Sequence, residues 1–171
     1  MIIIKAIFLQ IFWYICVYFG PVYQLPITGL TIFLIIINYR VYKPKISLRN
    51  YIFLVIFFCI YGVVETLLFS KLSLIKYEYF PLWLISLYVI FICYYGDIFN
   101  YLEKQAIWLL SLIGGVGGAF AFWGGVKISG LEILNNKYYF GVFISWSLFF
   151  PISIILFKKL KKESKNIVSM E

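Results

Sequence analysis

Glu65 is the side chain in this sequence with the clearest capacity for chemistry, because it lies inside a long apolar segment near residues 51–69. At 1.5 Å per residue, a position about 14 residues into a helix is roughly 21 Å along it. A charge at that depth in a bilayer costs at least ~2.5 kcal/mol, so it has to be paired, protonated or hydrated. We predict Lys127 as its partner and the pair as a proton or substrate site. The alternatives are a structural pair, or a carboxylate nearer the interface.

Asp97 and Asn100 form a second polar pair, one helical turn apart near the end of another apolar segment. In a functional interpretation, Asp97 faces a cytoplasmic vestibule. The interpretation we favour is that both residues mark the end of a helix, where polar side chains are common. Glu65, Lys127, Asp97 and Asn100 together are the candidate intramembrane polar site.

Catalytic motifs are missing from the sequence. There is no histidine among the 171 residues, which removes the Ser-His-Asp triad, the HExxH zinc site and a histidine proton relay. Only seven carboxylates are present, and they form no DxxD or ExxH pair for a di-metal site. We therefore expect no catalytic residue, no metal and no cofactor, although Glu65 and Asp97 remain the possible acid–base groups of an enzyme.

Six long apolar segments must position these side chains. Hydrophobic residues make up 64% of the chain and charged residues 13%, with a mean hydropathy of +0.97; soluble domains average about 45–50% and about 25%. Each segment approaches the ~20 residues that a membrane-spanning helix needs. Only helices or closed barrels satisfy backbone groups in lipid, and these segments do not alternate as barrel strands do. They lie near residues 3–20, 22–39, 51–69, 81–100, 106–126 and 138–157.

The sequence thus predicts an all-α, polytopic integral membrane protein with six transmembrane helices in one bundle. Residues 1–157 form the transmembrane domain and residues 158–171 a basic cytoplasmic tail. No small-x-small cleavage site follows the first segment, so we expect that helix to stay uncleaved.

The distribution of cations predicts the orientation. The chain has 15 Lys and Arg residues and a net charge of +8. With both termini in the cytoplasm, most of these cations are cytoplasmic, as the positive-inside rule requires. The exceptions are Lys71, Lys76, Lys127 and Lys137. The cations are scattered over loops, which favours contact with membrane lipids over nucleic acid. We predict a multi-pass protein of the bacterial cytoplasmic (inner) membrane.

Small residues form a stripe on the fifth segment. Gly114, Gly118, Ala121 and Gly125 are spaced by four, three and four residues, which places them on one helix face where a neighbouring backbone can approach closely. We expect this helix to lie at the centre of the bundle, and the stripe is also a candidate contact with another membrane protein. A phosphate-binding loop is the alternative, but Phe120 occupies the position of its third glycine.

Residues near the segment ends predict caps and an interfacial belt. Asn50 is a candidate cap of the third helix, and Pro81 suits the first turn of the fourth. Tyrosines near the segment ends are typical of the membrane–water interface. They are Tyr18, Tyr23, Tyr39, Tyr42, Tyr51, Tyr77, Tyr79, Tyr138 and Tyr139.

Several motifs together resemble a known family. They are the Phe8-x-Gln10-x-x-Trp13 opening, Gly62 with Glu65, Pro81-Leu82-Trp83, the glycine-rich run from Gly114 to Gly125, and Trp146 with Pro151 before a basic tail. This combination is similar to that of small bacterial inner-membrane proteins grouped as domain of unknown function 2878. The resemblance spans nearly the whole chain and implies a polytopic membrane protein, without supplying a reaction.

Three classes of function fit these observations. The first is a small-molecule carrier or a membrane subunit of a transport system. Size and helix count are similar to those of vitamin-uptake S components, although the AxxxA contact that those proteins carry on their first helix is missing. The second is an enzyme or accessory subunit in envelope lipid metabolism. The third is a structural membrane partner.

Overall fold

The computed structural model describes residues 2–42 and 46–168, and it describes no side chains at 2–3, 41–42, 92–98, 100 and 165–168. The described chain forms six helices joined by short connections, and the all-α prediction is confirmed. The helices are α1 (Ile2–Phe19), α2 (Gln24–Tyr42), α3 (Leu48–Lys71), α4 (Leu82–Leu102), α5 (Ile107–Ser129) and α6 (Lys137–Val168).

Two strands of two residues each join the loops at one end of the helices. β1 (Ile75–Lys76) follows α3, and β2 (Glu132–Ile133) follows α5. They pair antiparallel, with Ile75 opposite Ile133 and Lys76 opposite Glu132. The exposed ion pair between Lys76 and Glu132, with N···O 3.8 Å, adds little stability at such a surface. We call this two-stranded pair the ribbon, and its end of the molecule the ribbon end.

The helices follow the predicted segments closely, with one extension. The sixth segment was predicted to end at residue 157, but α6 continues to Val168 without a break. Leu160 and Ser164 within this extension are buried. The predicted basic tail therefore begins inside α6, and residues 158–168 are helical.

The start of α3 is capped by Ser47 and not by Asn50, so that prediction was wrong. Ser47 Oγ accepts a hydrogen bond from the backbone N–H of Asn50 at 3.3 Å. The Asn50 side chain instead donates to the carbonyl oxygen of Leu160 at 3.1 Å and to Ser164 Oγ at 3.2 Å. Because these acceptors belong to α6, Asn50 ties the two helices together at the end opposite the ribbon.

α4 lies at the centre of the bundle. It contacts α1, α2, α3 and α6, whereas α5 packs mainly against α6 and less against α1. The expectation that α5 forms the centre was therefore wrong. The glycines of α5 allow close approach, but they do so towards one helix.

Three helices are long and apolar enough to cross a membrane: Leu48–Lys71, Ile107–Ser129 and Lys137–Ser164. Shorter apolar helical stretches occupy Ile4–Phe19, Gln24–Arg40 and Leu82–Phe91 in the described part of the chain. Many large apolar side chains point outwards, including Leu25 at 75% exposed and Phe120 at 69%. Exposed apolar surface of this extent is typical of contact with lipid or another protein.

Aromatic rings dominate the core between α3, α4 and α6. The Phe149 ring on α6 stacks on that of Tyr61 with centroids 3.7 Å apart, and meets the Phe58 ring edge-on at 4.9 Å. A smaller cluster at the ribbon end contains Phe69, Ile75, Tyr138 and Val142. This packing fixes the positions of the polar side chains described next.

Candidate functional site

Glu65 is buried at 4% exposed, six residues before α3 ends at Lys71. Its Oε2 accepts a hydrogen bond from the Tyr88 hydroxyl of α4, and its Oε1 accepts one from the Tyr61 hydroxyl at 3.4 Å. Among the described residues, no lysine or arginine forms an ion pair with this carboxylate. The carboxyl group is thus held by neutral hydroxyl groups.

Ser145 of α6 extends this network. Its hydroxyl is hydrogen-bonded to that of Tyr61. Either of these two hydroxyls can be the donor of that bond. The side chains of Glu65, Tyr61, Tyr88 and Ser145 therefore connect α3, α4 and α6; we call them the carboxylate network.

Ring packing holds the two tyrosines of the network in place. The Tyr61 and Tyr88 rings meet edge-to-face with centroids 5.7 Å apart. Tyr88 also stacks on Trp146 of α6 at 5.6 Å. Aromatic pairs in such geometries stabilise by about 0.5–1.5 kcal/mol beyond area burial. The hydroxyls are therefore positioned by the core, and not by the carboxylate alone.

Two further tyrosines lie near Glu65 at the ribbon end. Tyr77 follows β1, and Tyr138 opens α6 with a fully buried side chain. Burial, and secondly the Glu65 charge, raise the pKa of Tyr77 well above its usual range. The Tyr138 hydroxyl lies beside that of Tyr77 but has no partner at hydrogen-bond geometry within the described residues.

These two tyrosines were predicted to belong to an interfacial belt, and for Tyr138 that prediction was wrong. Tyr51 is likewise buried, at 5% exposed, whereas Tyr18 and Tyr79 are 54% and 69% exposed. Sequence position near a helix end does not distinguish a ring facing the interface from one facing a neighbouring helix.

A small cavity opens beside Tyr77 and Tyr138. Its volume is about 30 Å³, and about 10–15 Å³ suffices for one water molecule. Aromatic rings from α1, α4, α5 and α6 contribute much of the wall. The lining residues central to the site are Trp13, Tyr77, Trp83, Phe122 and Tyr138.

Lys127 does not pair with Glu65. Its Nζ lies over the Trp123 ring at 3.9 Å from the centroid, and its side chain is exposed. Both residues are on α5, which packs chiefly against α6, while Glu65 is turned towards α4 and α6. The expected ion pair is therefore replaced by a cation–π contact within one helix.

Asp97 and Asn100 lie on the helical backbone of α4, and their side chains are outside the described residues. Their predicted role stays a prediction.

The predicted glycine stripe divides into two parts. A Cβ at Gly114 would stand 2.6 Å from the Trp146 carbonyl oxygen, and one at Gly118 would stand 2.7 Å from Trp146 Cβ. A Cβ at Gly125 would meet only ordinary contacts at 3.8 Å, and Ala121 is exposed. Close packing is thus confined to the first half of the stripe, against α6.

Sequence reasoning missed the partners of Glu65. Tyr61 precedes it by four residues, a spacing that places both on one helix face, so this signal was available. Tyr88 and Ser145 come from other helices, and nothing in their local sequence points to the carboxylate.

These features define an all-helical protein with three helices suited to a membrane and a buried carboxylate held by tyrosines. Residues 2–152 match the model of the family described as Protein of unknown function (DUF2878), and the chain belongs to that family, as the resemblance predicted. No curated protein and no solved structure matches the chain.

Proposed function

We propose that this protein is an integral protein of the bacterial cytoplasmic membrane that crosses it six times, with both termini in the cytoplasm. The short connections make successive helices antiparallel. Of the three shorter apolar helices, α4 contacts α3 and α6, α1 contacts α5, and α2 contacts α4. These contacts support a single bundle of six helices in the membrane. The distribution of lysines and arginines supports this orientation, in which the ribbon end is outside.

Within that membrane we propose a carrier, or the membrane subunit of a transport system, with Glu65 as the polar group of its ligand path. The observation that carries this proposal is a buried carboxylate with no cationic partner among the described residues. Its charge acts on Tyr77 and Tyr138, which line a cavity at the ribbon end. An ionisable group inside a membrane protein is by default a sign of a ligand or ion path.

Comparison of solute uptake tests the carrier proposal. A deletion strain is complemented with the wild type, Glu65→Gln or Glu132→Gln, and the solutes remaining in the medium are measured by mass spectrometry. Glu132 is the control, because it is an exposed carboxylate on the ribbon. We expect the wild type and Glu132→Gln to deplete the same solute and Glu65→Gln to leave it. Identical profiles for all three strains would contradict the proposal.

A second candidate is a subunit that docks on another membrane protein through α5. Gly114 and Gly118 already contact α6, but the neighbouring face is open: Gly117 has no atom within 4 Å of a built Cβ. Phe120 is 69% exposed on the same helix. Cross-linking from Gly117→Cys in native membranes tests this role, because a carrier that acts alone gives no heterologous product.

A further inference from the structure

The ribbon-end cavity has a size that selects among ligands. With a volume of about 30 Å³, it has room for one or two groups as large as a water molecule. An ammonium group, –NH3⁺, is of that size, whereas a trimethylammonium group is several times larger. The size therefore favours a primary amine over a quaternary one.

The walls of the cavity suit a cation. Trp13, Trp83, Tyr77 and Tyr138 come together from four parts of the chain. The π-systems of Trp and Tyr attract ammonium groups, and the attraction is stronger when the cation is desolvated. An anion would find no such attraction and would meet the field of the buried carboxylate.

Glu65 can supply the negative charge that a cation needs. Glu65 forms no ion pair among the described residues, and its charge acts on both Tyr77 and Tyr138. These two tyrosines line the cavity, so the charge of Glu65 also acts at the cavity wall.

An acceptor for an N–H group is also present. The Tyr138 hydroxyl is fully buried and lacks a hydrogen-bond partner in the described part of the chain. A buried hydroxyl without a partner is energetically unfavourable, and a ligand that forms a hydrogen bond with it removes that cost. No group of three or more potential metal ligands is found among the described residues, so the donor set suits an organic ammonium group better than a metal ion.

We propose that the ribbon-end cavity binds the primary ammonium group of a small amine, with Tyr138 as hydrogen-bond acceptor, Trp13 and Trp83 as aromatic walls, and Glu65 as counter-charge. The ammonium group belongs either to a free aminoalcohol or to an ethanolamine lipid headgroup. This assignment deepens the proposed function and rests on it for the role of Glu65.

Tryptophan fluorescence of the full-length protein in detergent tests the assignment, because two of the wall residues are tryptophans. The probes are ethanolamine, its neutral analogue ethylene glycol, tetramethylammonium and potassium. We expect saturable binding of ethanolamine alone. Equal binding of ethylene glycol, tetramethylammonium or potassium would overturn the proposal, as would the absence of ethanolamine binding.

Three variants locate the site. Glu65→Gln and Tyr138→Phe should each weaken ethanolamine binding by about tenfold or more, the effect of losing a hydrogen bond or charge at a desolvated group. Glu132→Gln on the exposed ribbon should bind like the wild type. Circular dichroism identifies variants that fail to fold, and Tyr138→Phe preserves the test if Glu65→Gln does fail. Unchanged affinity in a folded Glu65→Gln or Tyr138→Phe variant would overturn the assignment.

Nanodiscs separate the two sources of the ammonium group. If phosphatidylethanolamine in the disc lowers the apparent affinity for ethanolamine relative to pure phosphatidylcholine, the ligand is a lipid headgroup; if not, it is a free amine.

Failure of this assignment differs from failure of the carrier proposal. If uptake depends on Glu65 but no amine binds, only the ligand assignment is wrong. If amine binding depends on Glu65 but no uptake is observed, only the carrier proposal is wrong.

Discussion

Gly62 on α3 admits the ring of Tyr88 from α4. A Cβ built at Gly62 would stand 2.6 Å from Tyr88 Cδ2 and 3.1 Å from Ile85 Cδ1. The missing side chain lets the Tyr88 ring lie against α3, and its hydroxyl then reaches Glu65 three residues further along. One glycine therefore determines whether the carboxylate has its donor from α4.

Replacing Gly62 by alanine should push Tyr88 away from α3. Overpacking of this kind costs about 1–3 kcal/mol, so we expect a lower thermal midpoint in detergent. Gly117→Ala is the matched control, because its Cβ would have no atom within 4 Å, and alanine in a helix is usually more stable than glycine. Equal midpoints for the two variants would contradict the close approach.

The bond between Tyr88 and Glu65 should appear as energetic coupling. A double-mutant cycle with Tyr88→Phe and Glu65→Gln isolates their interaction, and we expect about 1–2 kcal/mol, since one partner carries the charge. The measurement is unfolding in mixed micelles. Tyr88→Phe combined with Glu132→Gln should be additive, because Glu132 lies on the ribbon. Additivity in both cycles would show that Tyr88 and Glu65 are not energetically coupled.

The two halves of the glycine stripe should respond differently to alanine. Gly118→Ala would force a Cβ to within 2.7 Å of Trp146 Cβ, whereas Gly125→Ala would meet Trp13 at 3.8 Å. We expect Gly118→Ala to lower the thermal midpoint and Gly125→Ala to leave it nearly unchanged. If Gly125→Ala is the more damaging variant, the packing face of α5 differs from the one described.

Asn50 should hold the end of α6 in place. Asn50→Asp keeps the shape but removes both N–H donors to Leu160 and Ser164, so we expect a loss of about 1–2 kcal/mol. Limited trypsin digestion measures the effect, since Lys158 and Lys159 are exposed in that region. Cleavage there should be faster in Asn50→Asp than in the wild type, and unchanged in Arg49→Ala, whose side chain is exposed. Equal cleavage in Asn50→Asp and the wild type would exclude this tie.

The proposed orientation predicts the behaviour of two reporters. A green fluorescent protein fused after Glu171 should fluoresce, because it folds in the cytoplasm. Alkaline phosphatase inserted between Asn135 and Asn136, next to the ribbon, should be active outside. As controls, alkaline phosphatase fused after Glu171 should be inactive, and green fluorescent protein inserted between Asn135 and Asn136 should not fluoresce. An active phosphatase after Glu171 would show that the C-terminus is outside and would contradict the proposed orientation.

Local sequence was sufficient to predict the helices. Long apolar runs favour helices wherever backbone groups lack water, whatever their partners, and the predicted segments agree with α1 to α5 within a few residues. The error at α6 has the same origin. A lysine-rich stretch looks solvated by composition, but Leu160 and Ser164 face α3 through the Asn50 hydrogen bonds.

The sequence predicted only part of the candidate site. Glu65 stands out because a carboxylate in an apolar run is costly, and Tyr61 lies one turn before it. Lys127 was named as partner on charge alone, yet it lies over Trp123. Charge suggests that two groups attract, but the packing of α5 determines whether they can meet.

The sequence by itself determined that the chain is helical, that several helices are suited to lipid, and that Glu65 is an unusual residue, because each of these follows from side-chain chemistry and local spacing. The tertiary structure decided that Tyr88 and Ser145 join the network around it and that α4 is central. Such contacts depend on which helix faces meet, and no local sequence pattern encodes that. At the site, the missing Cβ at Gly62 determines how closely α4 approaches α3.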